Sequence, residues 1–262
     1  MRPNSLRTKL LSGEPSVGTH VMTTEPWVLE AIGHTHVFDY VEFTAEYSPY
    51  TLRDLDAMCR TAELYELDLK IKVDYDTHQF TSQHAIGSGF TSILFADCHD
   101  VGEAMACLRS VRPDTPADGG AHGSRGRRFR PGFGGSEAYV ESIRDIVCML
   151  MIEKGTAVEQ LDQILGLSGL DMIQWGPGDY AMSIGMIGQA KSAEVRAVER
   201  RVIESAIKCG VRPRAEIGTP SDAAWYLDLG VKDFAIGSDL HILYNWLKKE
   251  GSALRGLLRD AQ

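Results

Sequence analysis

Short apolar runs alternate along this chain with longer stretches in which apolar residues recur every three or four positions. The short runs have the length and β-branched or aromatic content of buried strands: "VGTHVM" (17–22), "FDYVEF" (38–43), "LKIKVD" (69–74), "TSILFA" (91–96), "IVCMLMIE" (146–153), "LDMIQW" (170–175), "RPRAEI" (212–217) and "DFAIG" (233–237). The stretches between them read as helices with one apolar face, among them 51–66, 100–111, 156–167, 190–210 and 242–260. Thr219-Pro220-Ser221-Asp222 offers a helix cap with proline in the first turn, and Gly210 and Gly230 fall where helices should stop.

Strand–helix alternation implies parallel strands joined by right-handed crossovers. Eight such units within 262 residues predict an α/β fold, a (β/α)8 TIM barrel forming one domain over 1–262. A doubly wound open sheet fits the alternation as well, but no glycine-rich turn follows the first strand. One segment breaks the rhythm, a Gly/Arg-rich loop at 112–136 that contains "RGRRFR" (125–130) and leads into the fifth strand. Loops of that length inside compact domains are usually functional or disordered. Within it Arg125, Arg127, Arg128 and Arg130 are candidates to reach a bound phosphate or carboxylate, with a solvated loop or subunit contact as the alternative.

Composition narrows the class. Hydrophobic content of 44% supports a sizeable core. The net charge of −9 argues against nucleic acid or an anionic membrane as the main partner. The five cysteines are odd in number and lack CxxC spacing, as in a reduced compartment. No run approaches the ~20 apolar residues of a membrane span, and the first residues do not resemble a signal peptide. A cytoplasmic protein is the expectation.

The candidate chemistry lies at two strand ends. Glu153 ends the fifth strand, and "GPGD" places Asp179 just after the sixth. In a barrel such ends converge on one mouth. Two carboxylates there, completed by water or substrate oxygens, suit a hard divalent cation such as Mg²⁺ or Mn²⁺. The turn Gly176-Pro177-Gly178 removes side chains where a substrate presses on backbone and offers the amides of Gly176 and Gly178 to a carboxylate. The alternative is that Glu153 caps a helix starting at Thr156 and Asp179 one starting at Tyr180.

The stretch "MIEKGTAVEQLDQILGLSGLDMIQWGPGDYAMSIGMIG" resembles the metal-binding core of the HpcH/HpaI aldolases, metal-dependent pyruvate aldolases of the phosphoenolpyruvate/pyruvate barrel superfamily. Weaker likeness continues in "FDYVEFTAEYSPYTLRDL", "PDTP…GSRGRR" and "YLDLGVKDFAIGSDLHIL". The resemblance implies that Glu153 and Asp179 ligate the metal and that Trp175, Gly176, Pro177 and Gly178 form the wall for an oxo acid, with Arg125 as a further substrate contact. It also implies a ring-like homo-oligomer, a trimer or hexamer, in which the last helix packs on a neighbouring subunit. Trp246 and Leu247 are then interface candidates, with packing of an intramolecular eighth helix as the alternative.

The departures concern proton chemistry. Where the family places an Asp–His dyad, this chain has Thr44 and Tyr47, with Glu46 retained behind them. Lys72 stands for an arginine that grips the oxo acid; it supplies charge without a planar fork. Met151 replaces a Gln, and His20 a Trp. His20 is the preferred replacement base, because an imidazole titrates near neutral pH. Tyr47 is the second choice, donating a hydrogen bond or, with a lowered pKa, exchanging a proton. His99, ending the fourth strand, is a further candidate for the mouth, with a helix-start position as the alternative. The implied function is a class II lyase that cleaves or forms a 4-hydroxy-2-oxo acid through a pyruvate enolate, with Lys72 as an electrostatic clamp. A condensing enzyme or lyase resembling citrate synthase or citryl lyase is the alternative, and a non-catalytic binding protein the third reading.

Overall fold

All eight apolar runs form strands, and in the computed structural model they close into a parallel barrel in sequence order. The structure describes residues 4–126, 128 and 135–260. The strands are β1 (Ser16–Val21), β2 (Tyr40–Thr44), β3 (Asp68–Val73), β4 (Ser92–Phe95), β5 (Val147–Ile152), β6 (Met172–Trp175), β7 (Arg212–Ile217) and β8 (Asp233–Ser238). The helices are α1 (Ser5–Ser12), α2 (Pro26–Gly33), α3 (Leu52–Leu64), α4 (His78–Ser88), α5 (Val101–Ser110), α6 (Glu137–Arg144), α7 (Gly155–Glu159) and α8 (Leu161–Leu165), followed by α9 (Pro177–Ser183), α10 (Ala193–Lys208), α11 (Ala223–Asp228) and α12 (Asp239–Asp260). Among the described residues no helix is long and apolar enough to cross a membrane.

Local chemistry accounts for most boundaries. Ser136 and Ser192 accept amides of Tyr139 and Val195 at the starts of α6 and α10, and Thr219 with Asp222 forms a capping box before α11. Gly210 and Gly230 take φ of +78° and +90°, the left-handed stops that glycine allows. The single helix expected over 156–167 is two, α7 and α8. The break falls at Gln160, whose side-chain oxygen accepts the amide of Val101.

Two helices have no counterpart in the apolar pattern. The first is α1, which closes the barrel from below: Leu6 is buried with Tyr40, Leu94 and Met149, Asn4 donates to the Thr91 and Asp145 carbonyls, and Arg7 pairs with Asp171 at 2.5 Å. The second, α9, follows β6 directly and carries Asp179 in its first turn.

Outward-facing strand residues pack with the helices in one large core, and inward-facing residues fill the barrel. The staggered register stacks the interior in layers drawn from alternate strands. His20, Lys72, Met151 and Glu216 share one level. Glu42, Leu94, Gln174 and Ala235 lie beneath it; Thr44, Ala96, Gly176 and Gly237 lie above. Tyr40 forms part of the floor, its ring occupying the space that a side chain at position 18 would need.

The described part of the 112–136 loop lies at the opposite end from the mouth, which corrects the expectation for Arg125 and Arg128. Arg112 donates to the carbonyls of Ile146 and Gly169, just before β5 and β6, and Arg128 to the carbonyl of Ser88 and to Glu63. Arg125 is exposed, and its amide donates to the Tyr139 hydroxyl on α6. The physical reason is topological: a connection from helix to strand emerges beside strand beginnings, whereas substrates meet strand ends. Arg127 and Arg130 lie outside the described residues.

Candidate active site

Glu153 follows β5 and is buried. One carboxylate oxygen accepts the amide of Asp97 at 2.8 Å. Asp97 holds a left-handed backbone, φ +61°, uncommon for a residue other than glycine, and this turn after β4 aims its amide at the acid. The other oxygen presses against Gly176, where a Cβ would collide with it and would stand 2.6 Å from the Cβ of Glu153. Only glycine fits. The close approach of the two strand ends thus explains the first glycine of the turn.

Burial pushes the Glu153 carboxyl up to about 7, with the charges of Asp179 and Asp97 adding to the shift; the Asp97 amide and Lys72 work against it. Asp179 is half exposed at the start of α9. Lys154 stands by these acids, its ammonium 2.5 Å from Asp97 and 4.0 Å from Asp179. Neither acid is the helix cap of the alternative reading: α7 has Lys154 at its N-cap position, and α9 begins at Pro177 with no side-chain cap bond.

A buried carboxylate with a second acid within electrostatic reach favours a cation between them. Among the described residues no set of three or more His, Cys, Asp or Glu forms a metal cage. Two carboxylates fit a hard divalent ion that completes its shell with water and substrate oxygens, and fit a structural zinc site poorly. Asp179 also borders an open cavity of about 440 Å³, lined by His99, Lys154, Gly155, Thr156, Met182 and Ser183. His99 therefore lines the mouth, its ring 3.2 Å from Glu103.

Lys72, at the level of His20, is buried and pairs with Glu46 at 2.7 Å. Burial disfavours its charge, but Glu46 and Glu153 outweigh that and hold it above its ordinary pKa. It is therefore a fixed cation. Its ammonium also donates to the Tyr47 hydroxyl at 3.2 Å. Tyr47 is 57% exposed, and burial of its hydroxyl end pushes the phenol up, Lys72 notwithstanding. The expectation of a lowered Tyr47 pKa is corrected: desolvation outweighs the neighbouring ammonium.

Two further expectations change. Trp175 faces the helix layer, packed on Tyr180 with ring centroids 4.7 Å apart and planes tilted by 47°; strand alternation sends Gln174 inward and its neighbour outward. It is not part of the barrel interior. The Gly176 amide donates to the Ile152 carbonyl at 3.1 Å, continuing the β5–β6 ladder, so it is not free to clamp a carboxylate. Pro177 has no N–H, which leaves the amide of Gly178, in the first turn of α9 where helices lack internal partners.

His20 is buried on β1, which lies diametrically opposite β5 in the strand order. Its Nδ1 is 3.0 Å from the Gly237 carbonyl, which only accepts, so Nδ1 carries a proton. Among the described residues its Nε2 has no hydrogen-bond partner; it faces Glu42 at 3.5 Å and Glu216 at 3.8 Å. Burial alone would raise the Glu42 carboxyl, but Arg214, His20 and Lys70 bring it down to about 2. Arg214 contacts Glu42 at 2.5 Å and also donates to Gln174. Glu42, Arg214 and Glu216 are missing from the sequence-derived site. Charged residues at every second position of "RPRAEI" were the available signal.

The family model for HpcH/HpaI aldolase/citrate lyase matches residues 50–245. The hydroxypyruvate/pyruvate aldolase of Paraburkholderia phytofirmans is 23% identical over 240 residues, covering 90% of this chain and 92% of that protein. The crystal structure of an HpcH/HpaI aldolase from Desulfitobacterium hafniense superposes with a TM-score of 0.84 at 22% identity, over 95% of this chain and 96% of that one. The citrate synthase SbnG gives 0.83 at 20% identity, over 96% and 97%. CitE of Mycobacterium tuberculosis, solved with magnesium and pyruvate, gives 0.57 at 11% identity, over 86% of each chain.

Proposed function

Because the chain belongs to the HpcH/HpaI aldolase/citrate lyase family, we propose that it is a metal-dependent carbon–carbon lyase that makes or breaks the bond beside a pyruvate-like 2-oxo acid. The observation that carries this reading is the fit of Glu153 against Gly176, with Asp179 at the start of the next helix. Glu153 and Asp179 would hold Mg²⁺ or Mn²⁺, which as a Lewis acid stabilises the negative charge that develops on the oxo-acid oxygen. Support for the ligand class comes from CitE, described with magnesium and pyruvate, and from the aldolase named above.

The chain's own residues have separate tasks. Lys72, held by Glu46, supplies a fixed positive charge within the barrel. The Gly178 amide offers a hydrogen bond to the oxo-acid carboxylate. Asp97 orients Glu153 through its backbone, and the cavity beside Asp179 leaves room for the second carbonyl compound. As in the resembling family, α12 packs on a second copy of the chain: it has no buried residue and exposes Leu240, Leu243, Trp246, Leu247, Leu254 and Leu257.

Isothermal titration of Mn²⁺ and then oxalate into the wild type and an Asp179→Ala variant tests the site. Oxalate should bind the wild type only after metal, and the variant should lose at least tenfold in metal affinity. Failure of oxalate to bind the metal-loaded wild type rules out the lyase reading.

A further inference from the structure

Inside the barrel, five polar side chains from β1, β2, β6 and β7 close into a ring, and one of them is open to solvent. His20 faces both Glu42 and Glu216. Glu42 pairs with Arg214, Arg214 donates to the Gln174 amide oxygen, and the Gln174 amide nitrogen donates to Glu216 at 3.0 Å. Four of the five residues are at most 5% exposed, whereas the Glu216 side chain is 56% exposed. Its contacts with Gln174 and His20 both lie inside the barrel, so its exposure marks where the mouth opens to this level. Glu216 is therefore the member of the ring open to a molecule entering from the mouth, and the buried His20 stands behind it.

We propose, resting on the lyase reading, that Glu216 is the catalytic base of this site and that His20 is a positioning residue acting through it. In the condensing direction the Glu216 carboxylate takes a proton from the C3 methyl of pyruvate. The C–H electron pair becomes the C2=C3 bond of the enolate, and the carbonyl pair moves onto the C2 oxygen. C3 then attacks the second carbonyl compound: the C3–C4 bond forms, the C2 carbonyl is restored, and the new alkoxide takes the proton from Glu216. The carboxylate ends as it began, with no further reactant consumed. Cleavage is the same sequence reversed.

The ring explains how an exposed acid is held for this task. Gln174 fixes one carboxylate oxygen, and Gln174 is fixed in turn by Arg214, which Glu42 holds. Because Nδ1 of His20 is committed to the Gly237 carbonyl, the imidazole turns Nε2 toward Glu216 in either protonation state. Neither residue at the family's dyad positions competes for the role: the Thr44 hydroxyl donates to the Val21 carbonyl, and the Tyr47 hydroxyl accepts from Lys72.

The test follows exchange of the pyruvate methyl protons in D2O with Mg²⁺ by NMR, alongside Mg²⁺-dependent oxalate binding. Glu216→Gln should slow exchange about 10²–10⁴-fold, with Glu216→Asp recovering part of the rate. Oxalate affinity should stay within about threefold, showing that the variant is folded and its two-acid wall intact. His20→Asn should shift the pH profile of exchange and lower its maximal rate, with little change in the pyruvate concentration giving half-maximal rate. Exchange by Glu216→Gln within about threefold of wild type, with oxalate still bound, overturns the assignment to Glu216 and leaves the lyase reading intact. Failure of oxalate to bind the wild type with Mg²⁺ brings down the lyase reading and this inference with it.

Discussion

Lys70 shows how far one residue's setting can move its chemistry. It is fully buried beneath the His20 level, with its ammonium position 4.0 Å from Glu42, 4.3 Å from the Tyr40 ring centroid and 3.9 Å from the Met149 sulfur. Burial, reinforced by Arg214, drives its pKa well below the ordinary lysine value. The unfolded chain then binds the proton more readily than the folded one, so this lysine makes stability rise with pH up to its unfolded pKa and weakens it below. Replacement by Met keeps the volume and leaves Glu42 paired with Arg214. Lys70→Met should therefore stabilise the fold by about 1–4 kcal/mol and flatten the pH dependence between neutral and alkaline pH. Thermal unfolding across that range checks both; a lowered melting temperature in the variant contradicts the account. The same spacing that makes "LKIKVD" a strand put Lys70 and Lys72 on one face, but it did not say that this face is the barrel interior.

At the scale of elements, the site depends on how closely the ends of β5 and β6 approach. The Gly176 amide extends the ladder to Ile152, and the missing side chain admits Glu153. Gly176→Ala forces either the carboxylate or the strand end to move. The expected cost is about 1–3 kcal/mol of stability, with Mn²⁺ affinity reduced at least tenfold. Thermal unfolding and metal titration measure the two; unchanged metal affinity means the contact is not what positions Glu153. The turn was legible in the sequence because glycine and proline directly after an apolar run can neither pack nor continue the ladder. Trp175 was misplaced because a strand end reads the same whichever face its last side chain takes. Arg125 was misplaced because charge and glycine content do not tell which end of the barrel a loop occupies.

At the scale of the whole molecule, the barrel is closed below by α1 and leaves a long amphipathic helix uncovered above its helical layer. Along α12, Leu243, Trp246 and Leu247 are each more than half exposed, although the helix lies against β8 and β1. An apolar stripe of that length without a partner is a poor surface for an isolated monomer. Sedimentation velocity should find an oligomer, a trimer or hexamer, and Trp246→Glu should weaken association by at least tenfold. A monomeric wild type at micromolar concentration excludes this role for the helix.

By itself the sequence determined the order and spacing of the eight strands, because period-two and period-3.6 burial are local properties. It also determined the pair of acids at successive strand ends, since a carboxylate following an apolar run stands out wherever the strand goes. Only the tertiary structure decided which strand faces turn inward. That choice follows from closure of the sheet and its stagger, which bring residues from β1, β2, β6 and β7 to one wall. Glu42, Gln174, Arg214 and Glu216 are ordinary one at a time along the chain. The first three act on one another because the barrel removes water from between them, and a charge without water must find its partner across strands; Glu216, open to the mouth, joins them through Gln174.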